Sequence, residues 1–111
     1  CLAVEMAATG VRVNAVAPGH VGPGTGMEAA FRAKAEKLGQ SWEDFEAGVV
    51  KSIPLGRWCR PEDVAGAVAW LLGPDASFIT GEMIPVTGGF QAYGVAPDPD
   101  AVRAAARANT K

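Results

Sequence analysis

"VRVNAVAPGHV", Val11 to Val21, decides the fold. A β-branched, mainly apolar run extends from Val11 to Ala17 and stops at Pro18, which reads as a strand with a defined end. Val13, Ala15, Val16 and Ala17 put apolar groups on both faces, the pattern of a parallel strand covered on both sides. Four glycines follow within eight residues, Gly19, Gly22, Gly24 and Gly26. In open parallel sheets ligands sit beyond the carboxyl ends of the strands, and glycine lets a backbone approach them without a Cβ in the way.

Upstream, "CLAVEMAATG" reads as a helix with Leu2, Val4 and Met6 toward one face and Gly10 at the left-handed position that closes it. It opens without an initiator methionine, as if inside a helix already under way. Downstream, 42 residues from Gly19 to Arg60 separate the strand from the next strong element, too many for a plain loop. Met27, Phe31, Ala35 and Leu38 predict one amphipathic helix that Gly39 stops, with Glu28 and Arg32 paired four apart on its other face. Ser41 then caps a second helix, Asp44 stands at the capping-box position, and Trp42, Phe45, Val49 and Ile53 form its apolar stripe. Together they predict a two-helix lid over residues 22–55.

"RPEDVAGAVAWLLGPD" is the clearest helix, with Pro61 at its first position, Glu62 and Asp63 at its positive end, and Gly73-Pro74 closing it. Val64, Ala65, Val68, Ala69, Leu71 and Leu72 leave little polar surface, so burial on more than one side is expected. "EMIPV", Glu82 to Val86, is a second short strand closed by "TGG". Strand, lid, helix and strand make one βαβ crossover with parallel strands. Two parallel strands leave faces that need neighbours, so the expected architecture is the C-terminal portion of a Rossmann-like, doubly wound α/β sheet. Residues 1–90 form that portion. Residues 91–111 form an extension in which Pro97 and Pro99 fix a linker and Asp100 caps a short alanine-rich helix with Arg103 and Arg107 on one face; a mobile extension or subunit contact and a solvated, disordered tail both fit it.

Composition narrows the function. Of 111 residues, 49% are hydrophobic, enough for a packed core. Twelve acidic against ten basic residues give a net charge of −2 with no basic block, which argues against a nucleic-acid partner. No apolar stretch approaches the roughly 20 residues that span a bilayer, and no signal-like core opens the chain, so a cytoplasmic protein without a membrane partner is expected. Cys1, Cys59 and the single His20 do not make a metal site, and both thiols are expected to be reduced.

"VRVNAVAPGHV", "IPLGRWCRPEDVAGAVAWLL" and "FITGEMIPVTGG" stand in an order and spacing that resemble the last third of the short-chain dehydrogenase/reductase family, over Leu2 to Gly89. The resemblance implies a Rossmann-like sheet, NAD or NADP as cofactor, and hydride transfer between nicotinamide and an alcohol or carbonyl carbon of a small molecule. It implies that Pro18 and Gly19 wrap the nicotinamide side and that Val21 offers backbone groups to the carboxamide. A threonine usual two residues after Val21 is Pro23 here, so Thr25 takes that role or the contact is lost. Thr87 stands where an aspartate is common. His20, Met27, Trp42 and Trp58 are substrate-side candidates, each with plain packing or turn-forming as its structural alternative; Trp70 reads as core or subunit interface. The family's catalytic serine, tyrosine and lysine and its glycine-rich phosphate turn match nothing in this chain, so no catalytic residue is named and the chain alone is expected to be inactive. The long lid with "GPGTGM" is similar to that of members acting on diols and sugar alcohols. A 3-oxoacyl thioester reductase and a non-catalytic member that binds nucleotide or protein are the alternatives. Homotetramers are implied for the full-length protein.

Overall fold

A computed structural model describes residues 1–90 and 99–109. The elements run α1 (Leu2–Ala7), β1 (Ala15–Pro18), α2 (Glu28–Lys37), α3 (Trp42–Ser52), α4 (Pro61–Leu72), a 3-10 turn (Pro74–Ala76), β2 (Met83–Val86) and α5 (Pro99–Ala108). The chain divides into two compact units: Cys1–Gly19 with Cys59–Val86, and His20–Trp58 with Thr87–Lys111.

In the first unit β1 and β2 pair in parallel, Ala15 opposite Met83 through Pro18 opposite Val86, and α4 packs against both. This is the βαβ crossover expected from the sequence. The strand is shorter than the apolar run, however, because residues 12–14 bond elsewhere. Asn14 donates its amide to the Ile79 carbonyl at 2.9 Å and accepts the Glu82 N–H at 3.1 Å. Arg12 donates to the same Ile79 carbonyl, and the Val13 N–H goes to the Thr80 hydroxyl. Side chains therefore splice the "FITGE" turn onto β1 before the ladder begins, and Gly81, at φ +78°, allows that turn.

The core of this unit is small: Ala3, Leu71 and Ala76. Leu2 and Val4 of α1 are exposed, so the predicted apolar face of that helix is replaced by a contact through Ala3. The expected all-round burial of α4 is absent too. Its buried residue is Leu71, while Leu72 is 78% and Trp70 44% exposed, because two four-residue strands cover only one side of a helix. Pro61 stands at the start as predicted, and the Asp63 carboxylate accepts the Arg60 N–H at 2.8 Å, which closes a capping box. A groove of about 350 Å³ lies against the flank of β1 and α4, lined by Val13, Val16, Val68, Leu71 and Leu72 with Arg12 and Asn14.

The second unit holds α2, α3 and α5 around Ala35, Phe45, Ile53 and Trp58. Ser41 caps α3 by accepting the Asp44 N–H at 3.1 Å, and its hydroxyl donates to the Asp44 carboxylate at 2.8 Å. Of the stripe predicted for α2, Ala35 is buried and Phe31 half-buried, but Met27 and Leu38 are exposed. They lie at the two ends of the helix, as N-cap and C-cap, where the packed face has already turned away. The "TGG" turn after β2 bonds to the segment that follows α3: Gly88 accepts the Leu55 N–H at 3.1 Å. A Cβ at Gly88 would stand 2.9 Å from Ile53 Cγ2, and one at Gly89 2.9 Å from Pro54 Cγ, so only glycine fits at this positive-φ pair. The predicted linker at Pro97 lies outside the described residues.

Candidate functional site

β1 ends at Pro18, and Gly19 donates its N–H to the Val86 carbonyl at 2.9 Å, one bond past the ladder. The parallel pair thus carries its register to Gly19 before the chain departs. Between Pro18 and Met27 there is no charged side chain, only peptide groups, the His20 imidazole and the Thr25 hydroxyl.

In the second unit His20 sits among aromatic rings. Its ring centroid lies 4.4 Å from Phe90, edge-on, 5.9 Å from Phe31 and 6.5 Å from Trp58. Phe31 continues the cluster to Trp58 at 5.3 Å and to Phe45 at 6.2 Å. This apolar environment holds the imidazole below its ordinary pKa, and the positive charge of Lys34 adds to the effect. The neutral form is therefore the resident one. His20 Nδ1 and Trp58 Nε1 are buried and have no hydrogen-bond partner among the described residues. Two such orphans in one cluster are unusual, since buried polar groups are normally paired.

Thr25 is occupied locally: its hydroxyl donates to the Gly22 carbonyl at 2.9 Å and accepts the Met27 N–H at 3.4 Å. Gly22 is buried against Trp58, so closely that a Cβ would collide with that ring. The glycine run has a packing reason at this position, which the sequence reading missed.

Trp42 lies away from the His20 cluster, stacked on Phe45 at 6.0 Å and covered by the Arg32 guanidinium at 4.2 Å from its ring centre. Arg32 in turn grips Glu28 with both Nε and Nη2 at 2.7 Å, and the other Glu28 oxygen accepts the Gly24 N–H at 2.7 Å. The Gly24 bond, with the Arg32 partner adding to it, holds the Glu28 carboxyl below the usual carboxylate range. A single chain of contacts thus ties the glycine loop to α2 and α3. The pair Glu28–Arg32 was legible from its four-residue spacing; the links to Gly24 and Trp42 were not, because nothing local marks them. Of the substrate-side candidates, His20 and Trp58 are brought together, Trp42 belongs to the Arg32 stack, and Met27 is half exposed at the N-cap of α2. Phe90 and Phe31, which complete the His20 cluster, escaped the sequence reading as site residues. Among the described residues no group of three potential ligands could hold a metal ion.

The family model described as enoyl-(acyl carrier protein) reductase matches residues 1–91. The chain is 39% identical over 92 residues to galactitol 2-dehydrogenase (L-tagatose-forming) of Cereibacter sphaeroides, a match covering 83% of this chain and 32% of that protein. Among solved structures it is similar to a short chain dehydrogenase family protein from Francisella tularensis, with a TM-score of 0.73 and 33% identity over 83% of this chain and 38% of the other. It is also similar to an actinorhodin polyketide ketoreductase solved with NADPH, with a TM-score of 0.73 and 38% identity over 83% of this chain and 35% of the other. The chain spans about a third of the length of the curated relatives it matches. With the βαβ crossover in the expected order and a family match across four-fifths of its residues, the chain belongs to the short-chain dehydrogenase/reductase family.

Proposed function

We propose that the protein carrying this chain is an NAD(P)-dependent oxidoreductase that transfers a hydride between nicotinamide and an alcohol or carbonyl carbon, with a diol or sugar alcohol as substrate. The uncharged, peptide-rich stretch after β1 suits a neutral carboxamide and does not suit a pyrophosphate, so it fits the nicotinamide end of the cofactor. The cofactor, when bound, supplies or accepts the hydride. Pro18, Gly19 and Val21 are its contacts in this chain, and Thr25 joins them by releasing the Gly22 carbonyl.

Residues 22–55 act as a lid that covers substrate and excludes water. The observation that carries the substrate class is the pair of orphaned ring nitrogens, His20 Nδ1 and Trp58 Nε1. Trp58 Nε1 only donates and Nδ1 of the neutral imidazole donates or accepts according to its tautomer, which together match a hydroxyl group, while the flanking rings offer faces to the carbon skeleton. A site with buried polar groups discriminates strongly against ligands that leave them unpaired. The likeness to galactitol 2-dehydrogenase supports the same class. A 3-oxoacyl thioester reductase is the second reading, favoured by the likeness to the polyketide ketoreductase.

The test is turnover by the intact protein and by its His20→Ala and Trp58→Phe variants. For a polyol substrate both variants raise KM by about tenfold, the order of one lost buried hydrogen bond. Unchanged KM in both variants points to the thioester reading, and binding of nicotinamide cofactor without turnover points to a non-catalytic member. Homotetramer formation belongs to the same proposal and rests on the exposed apolar residues of α4 and its neighbours.

A further inference from the structure

The family match ends at residue 91, yet α5 beyond it is built into the second unit. Arg103 sends one guanidinium nitrogen, Nη2, to two carbonyls, Ile53 at 3.0 Å and Pro54 at 3.1 Å. Ile53 is the C-cap of α3 and 2% exposed, and its carbonyl also accepts the Gly56 N–H at 2.7 Å. One turn earlier on α5, Asp100 meets Lys51 of α3 at 3.0 Å and Arg103 at 3.4 Å. Cations at a helix C-terminus meet the negative end of its dipole, and charge-assisted bonds are the strong ones. Gly56 leaves room for this arrangement: a Cβ there would stand 3.0 Å from Arg103 Nη2. The same Ile53–Gly56 turn is held from its other side by Gly88 and Gly89.

We infer that α5 is a clamp on the lid, with Arg103 as a positioning residue that fixes the exit turn of α3 and thereby the closed setting of that helix. Its effect on substrate rests on the lid reading above; the clamp itself does not. A lone salt bridge at this exposure would count for little. The clamp gains its weight from Arg103 bonding two carbonyls of a turn that the "TGG" segment already pins.

The experiment compares intact protein with Arg103→Ala, Arg103→Lys and Asp100→Asn by hydrogen exchange and by steady-state kinetics. In Arg103→Ala, amide exchange over α3 and residues 53–56 rises by about tenfold, the order expected when charge-assisted bonds are lost, while β1 and β2 keep their protection. KM rises several-fold at unchanged kcat. Arg103→Lys restores part of the protection because an ammonium still reaches one carbonyl, and Asp100→Asn gives a smaller change in the same residues. Unchanged exchange in α3 for Arg103→Ala, or an equal rise throughout both units, overturns the clamp. If α3 loosens as stated and the protein turns over no alcohol or carbonyl compound, the clamp stands and the proposed function fails.

Discussion

At the scale of single residues, His20 and Gly22 show how one short stretch answers to electrostatics and to packing together. His20 titrates below the ordinary imidazole value because burial among Phe31, Trp58 and Phe90 disfavours its charged form. A native pKa below the unfolded value means that the unfolded chain takes up the proton first as pH falls. Stability is therefore complete above the ordinary histidine range and declines as pH drops below it. His20→Phe is expected to flatten that acid limb in urea titrations run at several pH values; a limb of unchanged depth would assign it to other groups. Gly22 has a different constraint. Any side chain there meets the Trp58 ring, so Gly22→Ala costs about 1–3 kcal/mol as an overpacked site. Denaturant unfolding followed by circular dichroism measures it, and wild-type stability in that variant would show that the loop can move aside.

Among elements, α3 has both its start and its end held by named groups. Ser41 caps its first turn, and Ser41→Ala is expected to lose about 1 kcal/mol, read from the urea midpoint by circular dichroism. A change confined to a few tenths would mean that the Asp44 carboxylate and water replace the hydroxyl. The start of this helix was legible because capping is local chemistry, written within four residues. The same holds for α4, where Pro61 and Asp63 mark the first turn, and for the βαβ order, where strand ends carry proline and glycine. What was not legible depends on distant partners. Asn14 looked like one more strand residue, yet its amide bonds Ile79 and Glu82 and delays the ladder to Ala15. The cluster around His20 needs Phe90 from 70 positions away, and the hold on Ile53 needs Arg103 from 50. Apolar periodicity also overstated burial in α1 and α4, since it reports which face seeks cover and not whether these two strands provide it.

For the whole molecule, the unmet demand is that cover. Leu72, Trp70, Met83 and the fully exposed Phe78 all belong to the α4–β2 unit and stand uncovered there. In the proposed tetramer they are subunit interface, and Leu72→Glu is expected to weaken association by roughly tenfold or more, since burying one leucine contributes about 2 kcal/mol. Light scattering across a dilution series reads the shift, and a monomeric intact protein would contradict the assembly. Among the described residues no helix is long and apolar enough to cross a membrane. The proposed chemistry at the end of β1 is hydride exchange between nicotinamide and a polyhydroxylated substrate. It is tested most directly by initial rates of NAD(P)H formation by the intact protein with hexitols and vicinal diols, run beside NAD(P)H consumption with a 3-oxoacyl thioester. Reduction of the cofactor by a polyol, at a higher kcat/KM than the thioester reaction, is the predicted result; the absence of nicotinamide-dependent turnover of any alcohol or carbonyl compound would contradict the proposed chemistry.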